Sequence, residues 1–228
     1  AARAASAIEP VVVHMPYLPN LAAADPEKRD RSISSLAAEL GRAQALGCEY
    51  VVTHLGKGLG QTDADALALV VDAVDAAFDM AAAADVTLLL ENAGGQGTEV
   101  GVTMADLAGV IERSRCAAQL GVCLDTCHAH VAGYDLAAAD GVDALVAEFD
   151  REIGLDRLKV LHLNDAKKPA GSRVDRHQHI GQGTIGLESF GRIVNHQKLS
   201  HLPGIMETPE DDNGDDPQNL ATIHSLTE

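Results

Sequence analysis

Apolar residues along this chain fall into six short, nearly continuous runs, and longer segments of mixed polarity separate them. Runs of about four to eight apolar residues are typical of strands in a parallel sheet that is buried on both faces. The intervening segments are long enough to cross back over such a sheet as helices. We therefore predict strands over residues 10–14, 49–56, 86–92, 121–126, 158–165 and 204–209.

The segments between these runs carry apolar residues at helical spacing and begin with helix-start signals. Asp25 precedes Pro26, and proline suits the first helical position because it has no N–H to leave unpaired. Thr62 and Thr103 are each followed three residues later by an aspartate, as in a capping box. We predict helices over residues 26–46, 63–83, 104–113, 137–154, 188–197 and 217–226.

This alternation predicts a single α/β domain over residues 1–228, either a doubly wound open sheet or a (β/α)8 TIM-type barrel. The strand ends favour the barrel, of which about six β/α units are present, because in a barrel all carboxyl ends converge on one rim where active sites are built. Each predicted strand carries a histidine or an acidic residue at this end: His14, His54, Glu91, Asp125, His162 and Glu207.

Three residues in loops on the same side extend this set. His128 follows Asp125, and Asp175 and His177 lie in the loop VDRHQHIGQG. Imidazole and carboxylate groups together suit Zn²⁺ or Mn²⁺. A single strand-end histidine is more often an ordinary hydrogen-bonded residue than a ligand, and Asp125 by itself is also a good helix cap. Nine such residues directed at one rim instead predict a site for more than one metal ion.

A cluster of this kind has two chemical uses, and the residues alone leave both open. Two divalent ions about 3.5–4 Å apart clamp the oxygens of a phosphate ester and make hydroxide available near neutral pH. One or two ions can also polarise a sugar carbonyl and hydroxyl for isomerisation. The Gly-rich segment ENAGGQGTEVG follows the strand that ends in Glu91 and does not open a dinucleotide fold, so we interpret it as a loop that permits close approach of other segments.

Composition and charge set further limits. The chain has 228 residues, of which 46% are hydrophobic, and this suffices for one sizeable core. The formal net charge of −17 argues, taken alone, against a nucleic-acid partner, which needs clustered lysine and arginine. Basic residues near the predicted rim oppose that trend, so we expect a positive field at the site within an acidic surface: Lys57, Lys167, Lys168, Arg173 and Arg176.

The remaining sequence signals concern the cellular compartment. The four cysteines form no C-x-x-C motif and are predicted to be reduced core thiols. The chain shows no signal-peptide pattern and no apolar run long enough to span a membrane. These features predict a cytoplasmic protein with no membrane partner.

The chemistry-bearing residues occur in motifs that resemble those of endonuclease IV (deoxyribonuclease IV), the family of zinc-dependent apurinic/apyrimidinic endonucleases. The similarity extends from about residue 10 to residue 210, and the motifs stand in the family's order. The segments that carry it are HMPYLPNL (14–21), THLG (53–56), LLENAGGQG (89–97), GVCLDTCHAHVAGYDL (121–136), LHLNDAKKPAGSRVDRHQHIGQGTIG (161–186) and METP (206–209).

The resemblance implies three Zn²⁺ ions in a row at the barrel mouth, with Mn²⁺ as an alternative at one site. The implied ligands of the first, second and third ion are, in turn, His14, His54 and Glu91; Glu91, Asp125, His162 and Glu207; and His128, Asp175 and His177. Four of these ligands are implied to be catalytic: Glu91, Glu207, Asp125 and His128.

The resemblance also implies a role in DNA base-excision repair. The expected reaction is hydrolysis of the phosphodiester 5′ to an abasic site in duplex DNA, which leaves a 3′-hydroxyl and a 5′-deoxyribose phosphate, together with trimming of blocked 3′ ends. The abasic nucleotide leaves the duplex at low cost because it has no base to unstack. We expect a monomer without a protein partner, and the expected DNA contacts are Tyr17, Asn20, Lys167, Arg173 and Arg176.

One departure from the family keeps two alternatives open. Family members carry about two further β/α units before the segment at His14, which only thirteen residues precede here, so we expect a chain truncated at its N-terminus relative to the family. The first alternative is a metal-dependent sugar isomerase or epimerase on the same barrel. The second is an inactive truncated remnant that binds metal or a partner.

Overall fold

A parallel sheet of six strands forms the centre of the protein. The computed structural model describes residues 9–81, 85–210 and 214–227. The strands are β1 (Val12–His14), β2 (Tyr50–His54), β3 (Thr87–Glu91), β4 (Leu120–Asp125), β5 (Leu158–His162) and β8 (Gly204–Ile205). They lie side by side in chain order and all run parallel, which confirms the predicted parallel sheet. The sheet curls as part of a barrel, and within the described residues β1 and β8 are its edges.

Helices follow the strands and pack against their neighbours around the outside. They are α1 (Pro26–Leu46), α2 (Asp63–Ala81), α3 (Met104–Arg113), α4 (Thr126–Ala132), α5 (Gly141–Glu152), α6 (Leu187–Val194) and α7 (Asp215–Leu226). The predicted starts of α1 and α3 are confirmed: the Asp25 side chain accepts from the first turn of α1, and Thr103 forms a full capping box with Asp106. Residues 82 and 83 of the predicted second helix lie outside the described residues.

Side-chain alternation divides the sheet into two faces. In β4, Val122 and Leu124 point outward and join the large core that the helices cover. Cys123 points inward with Val52, Leu89 and Val160, one residue from each of four adjacent strands, and these four form a separate buried cluster. The small apolar layer inside the curl is therefore the floor on which the strand-end residues stand.

One helix and one two-stranded hairpin were absent from the sequence-based prediction. Helix α4 begins directly after β4 because the Asp125 carboxylate accepts the His128 N–H as its N-cap, and it ends at Gly133, whose φ of 129° ordinary residues avoid. A short antiparallel pair, β6 (Asp165–Ala166) with β7 (His177–Gln178), closes the long loop after β5.

The last predicted strand, over residues 204–209, is too long. Strand β8 ends at Ile205 because the next backbone N–H available for a ladder, that of Glu207, donates to the Asn164 side chain instead. Glu207 thus lies two residues beyond its strand. The predicted strand over 158–165 likewise ends at His162, and the predicted helix over 137–154 begins only at Gly141.

Asp165 organises the loop that follows β7. Its carboxylate is fully buried and accepts five backbone N–H groups, at 2.8–3.4 Å. A Cβ atom on Gly183 would lie 2.4 Å from an Asp165 oxygen, so only glycine allows this wrap. The five donors are the backbone groups of Ala166, Gly181, Gly183, Ile185 and Gly186. Because these hydrogen bonds join β6 to the segment after β7, they also hold the hairpin between them.

Within the described part of the chain, none of the helices combines the length and the apolar character needed to cross a bilayer.

Replacing Asp165 with Ala should lower the free energy of unfolding by roughly 3–5 kcal/mol, because five backbone N–H groups, all of them buried or partly buried, lose their acceptor together. Urea unfolding monitored by circular dichroism measures this loss. Asp72→Ala, at an exposed position on α2, is the matched control and should change stability by no more than about 0.5 kcal/mol. A loss below about 1 kcal/mol for the Asp165 variant would contradict the assigned role.

Candidate metal centre

The position of each strand-end residue follows from strand alternation. His54 stands two residues after the inward-facing Val52, Glu91 two after Leu89, and so on around the sheet. Side chains two apart in a strand share a face, so each of these residues points into the curl directly above the apolar floor. Register aligns neighbours: His54 pairs with Glu91, and Asp125 pairs with His162. A register shift between Val122 and Cys123 brings about the second pairing.

Glu91 is the centre of the cluster. Its carboxylate is fully buried, and four histidines from four different segments approach it. Oε2 lies 3.0 Å from His14 Nε2 and 3.4 Å from His54 Nε2. Oε1 lies 3.0 Å from His162 Nδ1 and 3.4 Å from His128 Nδ1. Each oxygen therefore faces a different half of the site, and Glu91 joins the two halves.

His162 is the meeting point of the second group. Its Nδ1 lies 3.2 Å from Glu207 Oε2 and 3.9 Å from Asp125 Oδ2, in addition to its contact with Glu91. One donor atom from each of these four residues lies within 4.8 Å of the others. His14 connects this group to the first, because it also lies 3.9 Å from Glu207 Oε1.

The third group is formed by the hairpin loop and helix α4. His128 Nε2 lies 3.3 Å from Asp175 Oδ2, and His177 Nε2 lies 3.3 Å from Asp175 Oδ1. Cys127 also belongs to the neighbourhood, since a donor atom of it lies within 4.8 Å of donor atoms of Asp125 and His177. The structure thus brings all nine sequence-predicted residues together in three adjoining groups, each with donors close enough for one ion.

The imidazoles form a continuous row across these groups. Ring centroids are 5.7 Å apart from His162 to His14, and 5.5 Å apart from His14 to His54. The row continues over 5.5 Å to His128 and over 5.4 Å to His177. Neighbouring groups therefore share a boundary rather than lying apart.

The donor set fits divalent metal ions. Each group combines imidazole nitrogen with carboxylate oxygen, the mixture that Zn²⁺ and Mn²⁺ accept. His177 Nε2 is buried, has no hydrogen-bond partner among the described residues, and faces Asp175 and Asp125. Three histidines have one ring nitrogen fixed by a backbone carbonyl, which leaves the other for a ligand: His14 on Met15, His128 on Asn92 and His177 on Glu207.

The electrostatics of the groups are strongly perturbed. Burial alone would raise the pKa of Glu91, but the surrounding imidazoles hold it well below its usual range. Burial alone would lower the pKa of His128, yet Asp125, Asp175 and Glu91 raise it well above the ordinary value. For His177, burial is likewise outweighed, by Asp175 and Asp125, and its pKa is raised to about 9. In the metal-free protein, protons on the histidines therefore balance the charge of the buried carboxylates. Bound metal cations would balance the same charge.

Two asparagines next to the predicted ligands were not predicted as site residues. Asn92 follows Glu91 directly, and its side chain clamps the Asp125 backbone, accepting from N at 2.7 Å and donating to O at 3.1 Å. Asn164 lies two residues after His162 and donates to Asp125 Oδ2 at 2.6 Å. The signal that could have found them is their position, since each follows a ligand-bearing strand end within two residues.

The predicted DNA contacts differ in accessibility. Tyr17 is 86% exposed, and Lys167, Arg173 and Arg176 are also exposed beside the third group. The Asn20 side chain is already paired with the Lys57 backbone, accepting from N at 2.9 Å and donating to O at 3.0 Å. A direct contact of Asn20 with DNA therefore stays a prediction.

A cavity of about 400 Å³ opens beside the metal-type residues. His54, His128 and Asp175 line its inner side, and Tyr17 and Lys57 line its outer side. A larger groove of about 800 Å³ between α5 and α6 contains none of the nine residues. The Gly-rich loop packs closely against other segments, as its sequence suggested. A Cβ atom on Gly94 would lie 3.0 Å from the Val131 side chain and 3.5 Å from that of Asp175, so glycine leaves the room that this packing needs.

Comparison with known proteins gives consistent matches. Residues 1–226 match the family model described as xylose isomerase-like TIM barrel. The chain is 46% identical over 226 residues to a probable endonuclease 4 of Methanoculleus marisnigri, which covers 99% of this chain and 80% of that protein. The crystal structure of endonuclease IV from Thermus thermophilus superimposes with a TM-score of 0.86 at 37% identity, over 98% of this chain and 78% of the other.

A D-tagatose 3-epimerase-like protein is also similar in structure. Its TM-score is 0.76 at 19% identity, over 99% of this chain and 79% of the other. A likeness at this level of identity shows the barrel fold alone.

The metal-free protein should lose stability as pH rises from about 6.5 to about 9. The folded state holds a proton on His177 up to about pH 9, whereas an unfolded histidine releases it near pH 6.5, so the stabilisation is complete below 6.5 and lost through 9. His177 alone should account for about 3 kcal/mol of this loss, which urea unfolding in the presence of a chelator measures.

His177→Gln is the control for this pH dependence, and it should make the profile less steep over the same interval, while His128, whose pKa is also raised, still contributes. Equal stability of the metal-free wild-type protein at pH 6.5 and pH 9 would contradict the assignment.

Proposed function

Because this chain belongs to the endonuclease IV family, within the xylose isomerase-like TIM barrels, we propose that it is a metal-dependent endonuclease that cuts duplex DNA at abasic sites. The bond hydrolysed is the phosphodiester 5′ to the abasic site, and the products are a 3′-hydroxyl and a 5′-deoxyribose phosphate. Trimming of blocked 3′ ends is part of the same proposal. The reaction serves base-excision repair.

One observation carries the proposal: nine imidazole and carboxylate side chains from distant parts of the chain meet in three adjoining groups on one rim. A single hydrolytic or isomerising ion needs only one such group. Three groups in contact suit a reaction in which charge on a phosphate and on both of its ester oxygens must be stabilised together.

We propose one set of metal ligands for each group. The first ion would be held by His14, His54 and Glu91, the second by Glu91, Asp125, His162 and Glu207, and the third by His128, Asp175 and His177. Zinc is the proposed metal, with Mn²⁺ as an alternative at one site. When bound, such ions supply Lewis acidity toward phosphoryl oxygens and lower the pKa of water to about 7.

Residues of the chain itself arrange these groups for catalysis. Glu91 presents one oxygen to each half of the site, so the first two groups keep a fixed separation. Asp125 and Glu207 face each other across His162, and His128 joins the second group to the third. We propose that these four carboxylate and imidazole groups, Glu91, Glu207, Asp125 and His128, are the catalytic residues.

The surroundings of the site suit DNA despite the acidic overall charge. Arg173, Arg176 and Lys167 are exposed beside the third group, where they can contact phosphates. Tyr17 extends into solvent at the mouth of the 400 Å³ cavity. We propose that the extrahelical abasic nucleotide occupies this cavity, since a sugar without a base is small and leaves the stack at low cost.

The sugar isomerase or epimerase alternative receives less support. The epimerase-like structure is only 19% identical and shares the fold, whereas the endonuclease relative is 46% identical over nearly the whole chain. The second alternative, an inactive truncated remnant, would be favoured if the chain binds metal and does not cut DNA. The following experiments distinguish it from the proposed enzyme.

With zinc present, this chain should cut a duplex oligonucleotide with one abasic-site analogue once, 5′ to the lesion. The measurement is strand incision on a denaturing gel, with the 3′ end identified by polymerase extension. Asp125→Ala should lose metal and reduce incision to background, because a buried carboxylate of the second group is removed. Asp72→Ala is the control and should cut like wild type.

Full incision and undiminished zinc in the Asp125 variant would contradict the assigned site. A folded wild-type protein that binds zinc and leaves abasic DNA intact would contradict the proposed function and favour the remnant.

Metal content separates the two enzyme classes. The purified chain, dialysed against zinc and then metal-free buffer, should retain about three zinc ions per molecule, because three donor groups are present. Elemental analysis against protein concentration measures the ratio. A ratio of one, with turnover of a ketose sugar, would favour the isomerase.

A further inference from the structure

Asn164 lies between two of the carboxylates of the second group without belonging to the nine predicted residues. Its side chain is fully buried. Nδ2 donates to Asp125 Oδ2 at 2.6 Å, and Oδ1 accepts from the Glu207 backbone N–H at 2.7 Å. We propose that Asn164 is a positioning residue that sets the separation of Asp125 and Glu207 and thereby the metal affinity of their group. The inference deepens the proposed function and rests on it.

The orientation of the Asn164 amide is determined by its neighbours. A carboxylate oxygen can only accept, so the Asn164 donor must face Asp125, and an N–H can only donate, so the Asn164 acceptor must face Glu207. The backbone is held as well: its N–H donates to Thr126 Oγ1 at 2.9 Å, and its carbonyl accepts from the same hydroxyl at 2.7 Å. A side chain fixed in this way has one available position.

Glu207 needs such support because its strand gives it little. Strand β8 has two residues, its register with β5 comprises two pairs, and Glu207 lies two residues beyond it. The peptide groups of Glu207 are instead held by side chains, the N–H by Asn164 and the carbonyl by His177 Nδ1 at 2.8 Å. The Glu207 side chain is more than a third exposed. Without Asn164, Glu207 would lose one of the two hydrogen bonds that hold its peptide groups.

Asp125 receives direction from the same amide. Its Oδ1 accepts the His128 N–H at 2.7 Å as the cap of α4, and Oδ2 accepts from Asn164. The remaining lone pair of Oδ2 faces His162 and His177, each at 3.9 Å. Hydrogen bonds that orient a ligating carboxylate raise metal affinity because the ligand is already in place when the ion arrives.

The test is zinc affinity of an isosteric variant. Asn164→Leu keeps the branched shape and removes both the donor and the acceptor. Competition with a chromophoric chelator should show that one zinc equivalent of three binds about 10–100-fold more weakly, while the others keep wild-type affinity. In the incision assay kcat should fall and KM for DNA should stay unchanged, since no proposed DNA contact is altered.

Ser114→Ala is the matched control. Ser114 is also a buried polar residue at a hydrogen-bond junction, where it donates to Asp75 Oδ1 at 2.6 Å and accepts from Cys116 N at 3.0 Å, and it contacts none of the nine residues in a described hydrogen bond. Its replacement should lower thermal stability and leave zinc affinity unchanged. This contrast separates positioning of ligands from general support of the fold.

Three wild-type zinc affinities in a folded Asn164→Leu variant would overturn the proposal. If that variant fails to fold, Asn164→Ala also removes both the donor and the acceptor, and three wild-type zinc affinities in this second variant would overturn the proposal in the same way. The zinc titration does not depend on turnover: a wild-type protein that binds three zinc ions and leaves DNA intact would contradict the proposed function while still deciding the role of Asn164.

Discussion

The burial of the Glu91 carboxylate is the constraint on which the site depends. A fully buried charge is strongly unfavourable unless it is paired, and here four imidazoles from β1, β2, α4 and β5 supply the compensation. Those partners lie up to 77 residues from Glu91 in the sequence, so pairing of Glu91 requires the sheet to be curled and its strands in register. The arrangement that could hold metal ions is thus the one that makes this carboxylate tolerable inside the protein.

Strand alternation explains why much of the site could be predicted from the sequence. A buried parallel strand is a local pattern, and its last inward-facing residue can be read directly, as with Val52 and His54 or Leu89 and Glu91. The helix starts at Pro26 and Met104 were equally predictable, because a capping residue and its partner lie within four positions of each other. The convergence of the strand ends then follows from the curl of a parallel sheet.

The parts that were missed depend on contacts between distant segments. Helix α4 has only seven residues, too few for a clear period, and Asp125 at its start serves as a cap as well as a candidate ligand. The β6–β7 pair and the end of β8 are decided by Asp165 and Asn164, whose side chains bind backbone groups 16 to 43 residues away. The local sequence does not indicate which distant backbone groups will hydrogen-bond to an asparagine amide or to a buried carboxylate.

The unbroken row of five imidazoles has a consequence for how such a protein can change over generations. Each ring shares a carboxylate with a neighbour, so the effects of substitutions along the row are coupled rather than additive. Replacing Glu91 removes the carboxylate partner of four histidines at once, whereas replacing Asp175, at the exposed end of the row, removes that of two. In a lineage that no longer needs the catalytic activity but must still fold, substitutions of Asp175 would therefore be tolerated first. Glu91 would be among the last of the nine residues to vary.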